Sequence, residues 1–106
     1  MAALSEQEFR LKSDAALEEA RRALMTLADE DDFEIELQNG VLNLVFEEPT
    51  ETKFVVSPNT PMRQIWVSAM ARSYKLPWSS DLQAFALGDE PLPRLLERLT
   101  RTFLEQ

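Results

Sequence analysis

Between Phe33 and Phe46 apolar and polar residues alternate on both sides of Asn39-Gly40, in the stretch FEIELQNGVLNLVF. A two-residue Asn-Gly turn matches the twist of paired strands, so this stretch predicts a β-hairpin. The turn sets Gln38 opposite Val41, Leu37 opposite Leu42, Ile35 opposite Leu44 and Phe33 opposite Phe46. Strand side chains alternate between faces, so the last three pairs share one face and Glu34, Glu36, Asn43 and Val45 share the other. A slip of one residue would bury both glutamates and expose Phe33, Ile35 and Leu37, which pins the register.

A helical period precedes the hairpin. Phe9, Ala16, Leu17, Ala20, Leu24 and Leu27 recur at helix spacing through about Ala28, and Ser5 followed by Glu8 forms a capping box at the start. The polar face holds Asp14, Glu18, Glu19, Arg21 and Arg22, with Glu–Arg pairs at i,i+3 and i,i+4 that suit an ordinary solvated surface. After the hairpin, Thr52–Ser57 predicts a third strand, and Ser57-Pro58-Asn59-Thr60-Pro61 a turn set by two prolines. Gln64–Ala69 alternates again, with Ile65, Val67 and Ala69 on one side and Gln64, Trp66 and Ser68 on the other. Ser73–Trp78 and Ala84–Leu87 predict two more short strands, the first marked as an edge or a bend by Pro77. Gly88-Asp89-Glu90 breaks the pattern. A second helix then begins at Pro91 or Pro93 with Leu92, Leu95, Leu96, Leu99, Phe103 and Leu104 as its stripe.

Helix, consecutive strands, helix is the order of an α+β fold. The expectation is a two-layer α/β sandwich in a single domain over residues 1–106, with both helices on one face of a five- to six-stranded antiparallel sheet. Trp66 then stands on the opposite, uncovered face.

Composition narrows the chemistry. The chain has no histidine and no cysteine, which excludes imidazole acid–base catalysis, thiolate nucleophiles, disulfides and Cys/His zinc sites. No apolar run approaches the roughly 18 residues of a membrane span, and MAALSEQEF resembles neither a signal nor a transit peptide. These features lead to the expectation of a cytoplasmic protein. The net charge of −8 opposes binding to nucleic-acid phosphates and favours cations or a basic protein surface.

That charge is concentrated. Residues 29–51 hold nine carboxylates and no base, whereas Lys53, Arg63, Arg72 and Lys75 occur in residues 53–80 with no acid before Asp81. Asp29, Glu30, Asp31, Asp32 and Glu34, with Glu18 and Glu19 on the helix leading in, predict an acidic edge. With only oxygen ligands at hand it suits hard cations or a basic partner. A solubilising charge run at a helix–strand junction is the plain alternative. The spacing of an EF-hand loop is absent, and no long pocket-forming loops favour a paired-carboxylate glycosidase.

The segment NGVLNLVF, then SPNTPMRQIWVSA with its TP-x-x-QIW core at Thr60–Trp66, the Tyr-containing strand ending at Trp78, and the final Leu-rich helix resemble frataxin of the short bacterial type. The resemblance covers nearly the whole chain. It implies an iron-binding ridge on the first helix and first strand, which maps to Glu18, Glu19, Asp29, Asp31, Asp32 and Glu34. Iron, Fe²⁺ or Fe³⁺, would be weakly bound there. It also implies an outer sheet surface that docks a cysteine desulfurase and an iron–sulfur scaffold protein, here Trp66 and Gln64 with Glu36 and Asn43 on the same face. The implied role is a non-enzymatic iron-binding regulator or iron donor in iron–sulfur cluster assembly, acting as a monomer. The alternative is a metal-independent module whose acidic edge docks a basic surface of the desulfurase. One departure bears on that choice: Arg21, Arg22, Met25 and Thr26 stand where the family's ridge is usually densest.

Overall fold

A computed structural model describes residues 4–106, so the leader expectation, which includes residues 1–3, lies partly outside the described residues. Helix α1 spans Glu6–Asp31 and α2 spans Leu92–Leu104. Between them run β1 (Glu34–Gln38), β2 (Val41–Phe46), β3 (Thr52–Asn59), β4 (Gln64–Ala69), β5 (Arg72–Ser79), β6 (Ala84–Leu87) and β7 (Glu90–Pro91). They form one antiparallel sheet in sequence order, and α1 and α2 pack on the same face of it, against each other. The expected sandwich is therefore present.

The Asn39-Gly40 hairpin has the expected register, with Gln38↔Val41, Leu37↔Leu42 and Ile35↔Leu44 paired. Both turn residues have positive φ, 54° and 75°, which the primed hairpin turn requires and which Asn and Gly tolerate. Phe33 lies just before the ladder, but its ring meets Phe46 at 4.8 Å. Phe46 also meets Phe54 at 4.9 Å and Phe103 of α2 at 4.8 Å, so this cluster joins strand and helix. Truncating Phe46 to alanine would cost about 3–5 kcal/mol, as for other fully buried aromatics.

The α1 N-terminus is built as expected. The Glu8 N–H donates to Ser5 Oγ at 3.1 Å, and the Ser5 N–H donates to Glu8 Oε1 at 3.0 Å. Phe9, Leu17, Ala20, Leu24 and Leu27 are buried along one stripe. The other terminus differs from expectation, because the helix continues past Ala28 to Asp31. Asp32 then turns left-handed at φ 57°, and the Phe33 N–H donates to the Ala28 carbonyl at 3.1 Å. That bond is the 6→1 closure of a Schellman cap, and it draws Phe33 onto the core.

Two strand details are also corrected, and one open alternative is decided. Pro58 sits inside β3 opposite Ile65 rather than in the turn, which falls at residues 60–63. The Arg63 guanidinium holds that turn through the Thr60 carbonyl and also donates to the Leu4 carbonyl at 3.1 Å. Pro77 marks a bend rather than an edge: residues 72–77 pair with β4, and Trp78 and Ser79 pair with β6. The sheet has seven strands rather than five or six, because Gly88, at φ 61°, and Asp89 turn the chain back so that Glu90 pairs with Leu87. A strand of two residues has no period to read.

Candidate functional site

The acidic edge is assembled by the longer α1. Asp29, Glu30 and Asp31 form its last turn, Asp32 caps it, and Glu34 and Glu36 project from β1; all six are exposed. The last turn contains no basic residue, so Asp29, Glu30 and Asp31 stand uncompensated at the negative end of the helix dipole.

Glu18 and Glu19 do not join that group. They precede Asp29 by three turns, about 15 Å along the axis at 1.5 Å per residue. Glu18, Arg22, Met25 and Asp29 follow one stripe at i+4, i+3 and i+4, so a cation and a thioether interrupt the row. Glu18 is also engaged. Arg21 grips it in a fork, with Nη2 at 2.6 Å from Oε1 and Nε at 2.8 Å from Oε2, and Arg22 Nε lies 3.4 Å away. The hydrogen bonds from Arg21 chiefly hold its carboxyl down at about 2, with the charges of both arginines adding to the effect. Glu19 faces a groove of about 290 Å³ between the helices and the β5–β6 end, where Lys12 Nζ stands 4.4 Å over the Trp78 ring.

Of the six expected iron ligands, Asp29, Asp31, Asp32 and Glu34 thus share one edge, and Glu18 and Glu19 lie apart from it. Among the described residues no group of three or more acids is close enough to hold a metal ion. The carboxylates of the edge form a field of separate charges, well suited to attract a cation or a basic surface from a distance.

The outer face of the sheet carries the second candidate. Trp66 is half-buried there, flanked by Ser57 on β3 and Lys75 on β5. Its Nε1 donates to Gln64 Oε1 at 2.9 Å, and Lys75 Nζ lies 5.0 Å over its ring. The indole is held by these two contacts, and no helix covers it among the described residues. Glu36 and Asn43 pair with each other on the same face, in the row that continues through Val55, Ser68 and Ser73. At about 4.8 Å per strand they lie roughly 10–14 Å across the sheet from Trp66, so they share its face without touching it. Lys75 is the residue sequence reasoning missed; its signal was that β5 must return directly beside β4.

An open antiparallel sheet backed by the first and last helices, with acids gathered at one margin and a clamped tryptophan on the bare face, defines an α+β sandwich. Its candidate groups lie on open surface. Residues 2–106 match the family described as the Frataxin-like domain, and the chain belongs to the frataxin family. Among its relatives is a Ralstonia nicotianae protein, 36% identical over 76 residues, which cover 70% of this chain and 66% of that one. A Pseudomonas fluorescens protein is 27% identical over 89 residues, covering 80% of this chain and 79% of its own length. Both are named iron-sulfur cluster assembly protein CyaY. The chain spans just under two thirds of the Ralstonia protein. No helix among the described residues is long and apolar enough to cross a membrane.

Proposed function

We propose that this chain acts in iron–sulfur cluster assembly, as a regulator or iron donor that works on a complex of cysteine desulfurase and scaffold protein. The observation that carries the reading is a family match over nearly the whole chain, joined to an edge where Asp29, Asp31, Asp32 and Glu34 stand exposed together. Iron is cargo in this reading, held loosely by separate surface carboxylates. Such oxygen ligands bind Fe²⁺ weakly and discriminate poorly against other divalent ions. The outer face would dock the scaffold through Trp66, which Gln64 and Lys75 hold in one orientation.

The fork of Arg21 on Glu18 favours a second reading, in which the acidic edge docks a basic surface of the desulfurase without metal. With Glu18 already neutralised, the helical half of the ridge has less to offer a cation. Charge-driven docking is screened over about 8 Å at physiological salt. Metal-free protein should therefore bind desulfurase at low ionic strength and lose affinity steeply as salt rises. Anaerobic Fe²⁺ titration, with Mg²⁺ and Ca²⁺ as controls, measures the cargo reading directly. If metal-free protein binds at no ionic strength and Fe²⁺ restores binding, the metal-independent reading is wrong. Trp66→Ala should weaken scaffold binding by about 2 kcal/mol or more if the indole is an anchor; unchanged affinity would remove the outer face from the proposal.

A further inference from the structure

The sheet has two edges, and they are unlike. β7 is two residues long, contains Pro91 and runs straight into α2, so it offers little ladder to an incoming strand. β1 is five residues long without proline, and β2 pairs with one side of it only. In a hairpin with a two-residue turn the flanking residues exchange both hydrogen bonds, and every second pair repeats this. Gln38, Glu36 and Glu34 therefore turn their backbone groups toward β2, while Ile35 and Leu37 aim theirs outward. The side chains of Ile35 and Leu37 are only half-buried, touching the core from its margin.

Exposed edges are normally blunted by lysine, proline or a bulge. Here the guard is acidic: Glu34 and Glu36 on the outer face, with Asp31 and Asp32 just before the strand. A second copy of β1 laid alongside would set like charges opposite one another, which opposes self-pairing. A strand carrying lysine or arginine at those positions would gain cross-strand ion pairs instead.

We propose that β1 accepts, by strand addition, an extended segment of a protein partner in which basic residues alternate with β-branched apolar ones. The outward N–H and C=O groups of Ile35 and Leu37 supply the ladder, the acids select the sequence, and the apolar residues complete the burial of Ile35 and Leu37. This inference deepens the docking reading above and rests on it.

The test uses a capped eight-residue peptide of alternating valine and lysine, and the same peptide with each valine nitrogen methylated, added to the full isotope-labelled chain at low salt. The methylated peptide keeps every charge but loses the donors that strand pairing needs. Addition of the first peptide should slow amide exchange at Ile35 and Leu37 by about tenfold or more, and methylation should abolish the effect. Leu37→Pro removes an outward donor, which edge strands tolerate, and should weaken peptide binding well beyond Leu37→Ala. Equal binding of both peptides, without protection at Ile35 and Leu37, would overturn strand addition and leave charge-driven docking standing. Failure of both peptides to bind would overturn both.

Discussion

At the start of α1, Glu6 and Glu8 lie in the first turn beside the Ser5 cap, where free N–H groups welcome negative charge. At its end, Asp29, Glu30 and Asp31 lie where free carbonyls repel it, and Asp32 takes a left-handed conformation that glycine would adopt more easily. The same residue types stabilise one end and strain the other. The backbone hydrogen bond from Ser5 chiefly lowers the Glu8 carboxyl, whereas nothing basic in the last turn offsets the acids there. A sequence free to optimise the helix would place lysine in that last turn. Acids kept there instead are consistent with the proposed use of this edge as a recognition surface, at some cost in stability.

Charge reversal tests that contrast most strongly. Asp29→Lys with Asp31→Lys should raise stability by about 1–3 kcal/mol at low ionic strength, since each charge moves from the wrong sign to the right one. The gain should shrink as salt is added. Urea denaturation at two ionic strengths measures both effects, and an unchanged or lower midpoint would mean the last turn carries no electrostatic penalty. The same variant should lose affinity for a basic partner.

The N-terminal end should respond in the opposite direction. Ser5→Ala removes the cap and should cost about 1 kcal/mol. Asp32→Gly relieves the left-handed residue and removes one charge, so it should gain about 0.5–1 kcal/mol. Paired thermal melts of these two variants sharpen the comparison, because the sign must differ between the ends.

The smallest effect concerns Glu18, whose carboxyl the Arg21 fork holds down at about 2. A lowered folded-state value means that its contribution is present above the ordinary glutamate range and is lost as pH falls through about 2. Glu18→Gln should therefore be less stable than the parent near neutral pH, and the difference should close in strong acid. A difference that persists at pH 1–2 would point to packing rather than to the ion pair.

Much of this was legible beforehand because the determining interactions are local. The Asn39-Gly40 register, the Ser5–Glu8 box and the leucine stripe of α2 each follow from residues a few positions apart. The sequence stops α1 near Ala28 because Asp29, Glu30 and Asp31 are poor company for a helix terminus, yet the helix runs on to Asp31. What carries the helix onward is Phe33, whose ring joins Phe46 and whose N–H closes on Ala28. Likewise β7 exists because Gly88 turns the chain beside an existing strand, and Pro58 is accommodated by the ladder around it.

The sequence by itself determined the α+β class, the hairpin, the face each residue of the hairpin and of Gln64–Ala69 occupies, and the concentration of acid near residue 30. It could do so because periods of 2 and 3.6 and short-range turn chemistry act within a few residues. Only the tertiary structure decided which acids stand together. It placed Asp29, Asp31, Asp32 and Glu34 on one margin and set Lys75 over Trp66. Those outcomes depend on where a helix ends and which strands lie side by side, and packing between distant segments settles both.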